Sequence, residues 1–562
     1  MSVCMVALLA GCGGGGGSSV TPTAPVNQAP TASLSSSAQS GRVDLGVDFD
    51  GTQSSDSDGN IASYSWDFDG DGAEDATAST ASFTYTVPGT YIATLRVTDN
   101  DGATNDTSVT ITVERAEEQV TFILGRPDGS NSIESQGDEG ESAATLTATT
   151  SDIVATQAKS PDGTRLLYIQ AAGQSSFSGQ PILIDLETGI ETPLPFANAS
   201  QVRWSADSAF VAFNHDENPG SSEGIQVIVS DRDGTTPTAI EWSGANISNA
   251  QLDNWSADGQ YLFVQLDFAL SDDFGVGAFD TQSLGQPGTV LATLAKDASD
   301  SRSGLYRRSV SPTDPIVCYL DRFVFSNADG EAGLYIADAA LPGMSTTKIA
   351  DDALSSACHF SADGDKLRYA ALDAGNLPEI REVDLGAPAT YRVMLDIPDA
   401  AYLSGLQSSP LDPELVLFIT RPDETGADDR IYFGRADETP TLIYEKETDD
   451  LRVSAFFLKS GQQVVINRTR ADRTVDVFFY DVETGTVVSP TDGLDVEAGY
   501  RPVALLYGSS DDGERYIFRW TGVSSQNFLD SEIDDLYSIK TDGTDRIKLL
   551  ELGDNSLRAP SY

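Results

Sequence analysis

Three groups of residues in this 562-residue sequence have types and spacings that could do chemistry. The first is Asp67-x-Asp69-x-Asp71-Gly72, which sets carboxylates at positions one, three and five before a turning glycine, the oxygen spacing of a calcium loop. The twelfth position, where such a loop closes on a bidentate Glu, is Ala78. Two readings stay open: calcium held by Asp67, Asp69 and Asp71, or a hydrogen-bonded Asx turn. The second group is Gly220-Ser221-Ser222-Glu223-Gly224, the Gly-x-Ser-x-Gly spelling of a nucleophile elbow. That motif needs a strand-to-helix turn, and here it follows Asn218-Pro219 in a polar loop. His215 stands in the same acidic loop, with nothing to orient it as a base. The third group is four Cys and two His. Cys4 and Cys12 belong to the N-terminal segment. Cys318 and Cys358 with His215 and His359 do not add up to a zinc site. A Cys318–Cys358 disulfide suits an exported protein, and two buried thiols are the other reading.

The elements that must position these groups belong to a long, acidic chain. Its 34 Lys and Arg against 86 Asp and Glu leave a formal charge of −52. Such a field repels nucleic acid and anionic membrane surfaces and draws cations or basic partners. Hydrophobic residues at 40% and aromatics at 8% are ordinary for a globular protein, and the length implies two or more domains. No phosphate loop occurs, and no later apolar run approaches the roughly 18 residues of a membrane-spanning helix. Gly11 to Gly16 match a dinucleotide fingerprint only in spelling, since no strand precedes them.

Met5 to Cys12 form a short apolar run ending in Leu9-Ala10-Gly11-Cys12, and Gly13 to Gly17 with Ser18 and Ser19 follow it as a flexible tether. This resembles the lipobox of bacterial lipoproteins. The resemblance implies a signal segment at 1–12, lipidation of Cys12 and a tether over 13–28. No Lys or Arg precedes the run, as a signal segment would have, so a true start upstream of Met1 is one reading. The expected location is the cell envelope, lipid-anchored on the periplasmic face of the outer membrane or at the cell surface.

From Ala32 short strands alternate with Asp, Gly and Asn clusters. Tyr91, Ala93, Leu95 and Val97 alternate with Thr90, Ile92, Thr94 and Arg96, the period of a strand with one face in a core. Ser55 to Ile61, Tyr64 to Gly72, Tyr85 to Tyr91 and Val97 to Gly102 together resemble the signature of PKD domains. That family is an immunoglobulin-like β-sandwich, which implies that residues 29–114 fold so and that Trp66 packs between the sheets. The acidic stretch 115–150 reads as a linker that could contribute closing strands.

After residue 150 one pattern recurs. Ser160-Pro161-Asp162-Gly163, Ser205-Ala206-Asp207-Ser208, Ser256-Ala257-Asp258-Gly259 and Ser361-Ala362-Asp363-Gly364 are each followed by an apolar strand. Looser copies start at Ser311, Ser409, Ser460 and Ser510, all 45 to 55 residues apart. A fixed period of this size signals stacked supersecondary units, and four strands per unit make a propeller blade. The units resemble the WD-like repeats of TolB-type propellers over 151–562. The expected fold is therefore all-β, an immunoglobulin-like sandwich followed by a propeller of about eight four-stranded blades, with seven or nine as alternatives. Val120 to Leu124 and Leu557 to Tyr562 read as fragments of one blade shared between the termini.

No catalytic residues are assigned. A propeller peptidase would need a hydrolase domain, for which no residues of this sequence remain, and metal-dependent propeller lyases need more than two His. The expected function is a membrane-tethered extracytoplasmic binding or scaffold protein. Its propeller would take an envelope protein or peptide, basic or cation-bridged, with the sandwich as spacer or adhesion module. It would touch membrane through the lipid anchor alone, bind no nucleic acid and need no cofactor beyond that calcium. The alternative is a surface glycan-binding protein, and a further one a polysaccharide hydrolase or lyase using Asp/Glu pairs.

Overall fold

The computed structural model describes residues 26–561 apart from residues 44, 87–88, 115–118 and short loop stretches, the longest being 295–302, 323–331 and 422–428. Cys12 and its flanking segment lie outside the described residues. The chain separates into two compact units, Met1–Glu117 and Glu118–Tyr562.

In the first unit, strands Gly89–Asp99 and Thr104–Glu114 pair along their length, flanked by Ile61–Asp67 and, in parallel, by Ser40–Arg42. Ser35–Ser36, Leu45–Asp50 and Thr80–Tyr85 form the facing sheet. The sequence alternation sets the faces: Ala93, Leu95 and Val97 are buried while Ile92 and Arg96 are exposed. Trp66 is 0% exposed at the centre of the core. Its ring stacks on Phe68 at 5.6 Å, and Phe68 stacks on Phe49 at 4.7 Å. The indole N–H donates to Ala78 O at 2.7 Å, so the one polar atom of this large side chain is satisfied.

The second unit is a β-propeller. Blades 1 to 8 span residues 153–193, 199–239, 247–294, 303–353, 359–396, 402–445, 450–488 and 500–551, each a four-stranded antiparallel set in chain order. A closing blade joins the two ends of the unit. Strand Ser556–Ser561 pairs with Gln119–Gly125, which continues into Asn131–Gly137 and Ala144–Thr149. Among the described residues there are thus nine four-stranded sets, so the expected count of eight rises by one. The reason is that the ninth blade draws its first strand from the far end of the chain, and no complete Ser turn marks it. The acidic stretch read as a linker supplies the other three strands.

Successive side chains of a strand point to opposite faces, so each blade feeds two cores. Leu167 and Ile169 pack with Trp204 and Phe213 of blade 2, whereas Leu166 and Tyr168 pack with Ile123 and Ile133 of the closing blade. One such core lies between every neighbouring pair, nine in all among the described residues.

The Ser turn has a definite chemistry. Ser160, Ser205 and Ser256 are buried. Each hydroxyl donates to the Asp two residues on (2.6, 2.6 and 2.5 Å) and accepts the amide five residues on, at 2.9 Å in each case. The fourth residue takes positive φ: +72° at Gly163, +73° at Gly259, +76° at Gly364 and +59° at Ser208. It also lies against the preceding turn. Ser208 Oγ accepts Asp162 N at 2.9 Å, and a Cβ on Gly259 would meet Asp207 Oδ1 at 2.8 Å. One position corrects the sequence reading. Leu458, not Ser460, occupies the buried place in blade 7: its amide donates to Gln463 O, as Ser160 N does to Arg165 O. An apolar residue fills the same hole without the hydroxyl.

Candidate functional site

Asp67 ends a sandwich strand, and its turn is shaped by Gly70 and Gly72 at φ +79° and +85°. Its two oxygens accept Gly70 N (2.7 Å) and Gly72 N (3.0 Å), while Asp69 accepts Asp71 N and Asp71 accepts Ala73 N. Oxygens of the three carboxylates lie within 4.8 Å of one another, so the loop has the spacing for a cation and is at the same time a complete Asx turn. Ala78, at the twelfth position, gives its carbonyl to Trp66 instead. Burial, then the Asp69 and Asp75 charges, push the neighbouring Tyr85 hydroxyl up to about 12. It therefore stays protonated and donates to Phe68 O at 2.9 Å.

The elbow-like segment joins the second and third strands of blade 2, with no helix after it. Gly220 and Ser222 lie outside the described residues. Ser221 is exposed, and its hydroxyl accepts Glu223 N at 3.1 Å. His215 Nδ1 lies 2.5 Å from Ala197 O, with the ring edge-on to Phe196. Ser221 and His215 are both engaged in local structure, and Ser222, the nucleophile position of the Gly-x-Ser-x-Gly spelling, lies outside the described residues. Cys318 in blade 4 and Cys358 just before blade 5 are disulfide-bonded, with Cα atoms 6.2 Å apart.

The antiparallel order of each blade places first-to-second and third-to-fourth turns at one mouth of the ring. Second-to-third loops and blade connectors lie at the other. The Ser turns at the first of these mouths are tied up in their own hydrogen bonds. Asp162, for example, is held down to about 2: burial raises it, but the Ser160 and Thr164 hydrogen bonds and the Arg232 charge outweigh that.

Blade 5 carries an ion ladder across its last three strands. Buried Arg368 donates to Glu382 at 3.0 Å, and Arg392 reaches Glu382 at 2.8 Å from the other side. Arg392 and Lys366 both extend to Glu414 of blade 6, at 3.0 and 2.6 Å. On the opposite face Arg381 binds Glu379 and Asp352 of blade 4, both at 2.6 Å. The sequence reading missed this cluster. The available signal was Pro378 to Asp384, a strand-length run with charges on both faces. Beside the ladder an open groove of about 750 Å³ runs between blades 5 and 6, with an apolar floor and acidic rim. A second, more polar hollow of about 530 Å³ lies by Glu217, Glu241 and Trp242.

Comparisons with known proteins assign the first unit and describe the second. The PKD-domain family model matches residues 27–113. The PKD1 domain of the Vibrio cholerae metalloprotease PrtV is 40% identical over 16% of this chain and 99% of that one, TM-score 0.14. TolB from Acinetobacter baumannii is 14% identical over 56% of this chain and 78% of its own, TM-score 0.26. A prolyl endopeptidase structure is 15% identical over 66% of this chain, TM-score 0.40, and the chain spans 55% of its length. The last two are likenesses of fold alone. No curated protein matches the chain.

Proposed function

With residues 27–113 a PKD domain and residues 119–561 a propeller, we propose that this chain is a membrane-tethered extracytoplasmic binding and scaffold protein. In this reading the propeller takes a basic protein or peptide and the PKD domain serves as spacer. Domains of these two kinds are typical of extracellular or periplasmic proteins. The observation that carries the reading is the contrast between the mouths and rim of the ring. The Ser turns are held by their own hydrogen bonds, while the hollow beside blade 2 and the groove between blades 5 and 6 carry acidic rims. A field of this sign steers basic partners and makes association weaken as salt rises.

The glycan-capture alternative wants exposed aromatics on the sandwich. Trp66, Phe68 and Tyr85 are all in the core, and no aromatic among the described sandwich residues is exposed. The anchor is Cys12, which mass spectrometry of the membrane fraction would find lipidated and N-terminal. The binding reading is tested by pull-down from envelope extract at low and high salt, alongside hydrolysis assays on polysaccharide and peptide libraries. Salt-sensitive retention without turnover is expected. Turnover with nothing retained would move the chain to the enzymes.

A further inference from the structure

We propose that the groove between blades 5 and 6 docks an extended segment of a partner protein in which apolar residues alternate with Lys or Arg. This rests on the reading of the propeller as a binding platform and names the place and chemistry of the contact.

The groove is apolar within and acidic at its border. It is lined by Leu377, Val393 and Leu395 with Asp396 and Glu438; among the described residues no Lys or Arg lines it, and Arg392 reaches lining residue Asp437 at 3.8 Å. Leu377 is 48% exposed and Val393 38%. Leu377 and Val393 are among the large hydrophobic side chains that the propeller leaves in water, and both line the groove. Apolar surface framed by one sign of charge marks a recognition site rather than a gap in packing.

One strand of blade 5 runs along the groove. Tyr391–Asp396 is the outermost strand of blade 5 and pairs as a strand only with Pro378–Asp384, its outer edge carrying one contact, Asp437 N of blade 6 donating to Met394 O at 3.1 Å. An edge of this kind offers backbone donors and acceptors to an added strand. An added strand presents alternate side chains to opposite faces. Apolar residues would then meet the floor while the intervening basic ones meet the rim. A second copy of this chain is a poor occupant, because two molecules of charge −52 repel.

Blade 5 is also held rigidly. Blade 5 is clamped to blade 4 by the Cys318–Cys358 disulfide and the Arg381–Asp352 pair. It is clamped to blade 6 by Arg368 on Ser408 and by Arg392 and Lys366 on Glu414. On the face toward blade 4, Arg381 lies 4.2 Å over the Tyr391 ring at the far end of the same strand. Buried ion pairs add little stability over apolar packing, whereas a wall fixed before binding lowers the entropy lost on binding.

The test uses the full chain and fluorescence anisotropy at low ionic strength. The probes are a labelled short peptide alternating Lys and Leu, a Lys/Ser peptide and a Glu/Leu peptide. The Lys/Leu peptide should bind, with each control peptide weaker by about tenfold or more. The rim double variant Asp396→Lys/Glu438→Lys and the floor double variant Leu377→Asp/Val393→Asp should each weaken it by about tenfold. All four positions are exposed or at the groove surface, and an unchanged melting temperature confirms folding. The charge-matched control Glu187→Lys/Glu483→Lys, on turns of blades 1 and 7, should bind within about twofold of the unaltered chain. If rim and floor variants bind like that control, or if the Lys/Ser peptide binds equally well, the groove assignment is overturned, while envelope capture by the chain would leave the platform reading standing. No binding of the Lys/Leu peptide at all also overturns the groove.

Discussion

The sandwich and the propeller solve the same packing problem in opposite ways. The sandwich gathers its largest side chains into one aromatic stack around Trp66, so a single position reports on the whole core. The propeller spreads its apolar residues over nine small cores in series, each shared by two blades, and stitches them with turns, ion pairs and one disulfide. A single large core makes a sensitive, all-or-none unit. A ring of small ones tolerates polar and even charged wedges such as the blade 5 ladder, because neighbours keep the blade in place on both sides.

Removing the centre of the sandwich gives the largest contrast. Trp66→Ala should cost about 3–5 kcal/mol and abolish the sandwich transition in calorimetry, leaving the propeller transition where it was. A common shift of both would show that the units do not fold separately. Next comes the staple between blades 4 and 5. Its partners are 40 residues apart, and Cys318→Ser/Cys358→Ser should cost about 2–4 kcal/mol. Thermal melts with and without reductant would read this in the propeller transition alone.

A finer test lies in the turns. At Gly364 an added methyl would land on Thr313 Oγ1 of the preceding turn, whereas at Gly163 it meets nothing within 4 Å. Both substitutions to Ala carry the cost of positive φ, about 1–2 kcal/mol. Gly364→Ala should exceed Gly163→Ala by about 2 kcal/mol because it also overpacks the contact. Equal losses in denaturant melts would mean that the turns do not interlock.

The smallest effect is the pH dependence of the same turns. The Asp162 carboxyl titrates at about 2 in the folded chain, below the roughly 3.9 of an unfolded Asp. Its contribution is therefore complete above about pH 4 and lost as pH falls toward 2. Asp162→Asn should flatten the acid limb of propeller stability over that window, and an unchanged limb would place the acid sensitivity elsewhere.

Much of this architecture was legible in the sequence, for identifiable reasons. Trp66 and the alternation around Leu95 revealed the sandwich because its strands keep period two. The Ser turns revealed blades because each needs the same hydroxyl, carboxylate and positive-φ residue. What escaped was tertiary in origin. Asn131–Gly137 reads as polar linker yet is a buried strand, since its burial comes from neighbouring blades and not from its own pattern. The repeat at Ser460 was misplaced by two residues because Leu458 fills the hole without the hydroxyl. Arg368, Glu382 and Arg392 meet only through strand register, and the groove beside them exists only once blades 5 and 6 pack.

The claim that this chain binds through its acidic concave surfaces, and not through its turn mouth, is open to one direct measurement. A photo-crosslinking amino acid would be placed at Ser221 or Val393, and in parallel at Glu187 or Glu483, with the chain in its native envelope. Adducts to another protein are expected from the first pair of positions and none from the second. Adducts from the turn-mouth positions, with none from Ser221 or Val393, would contradict it.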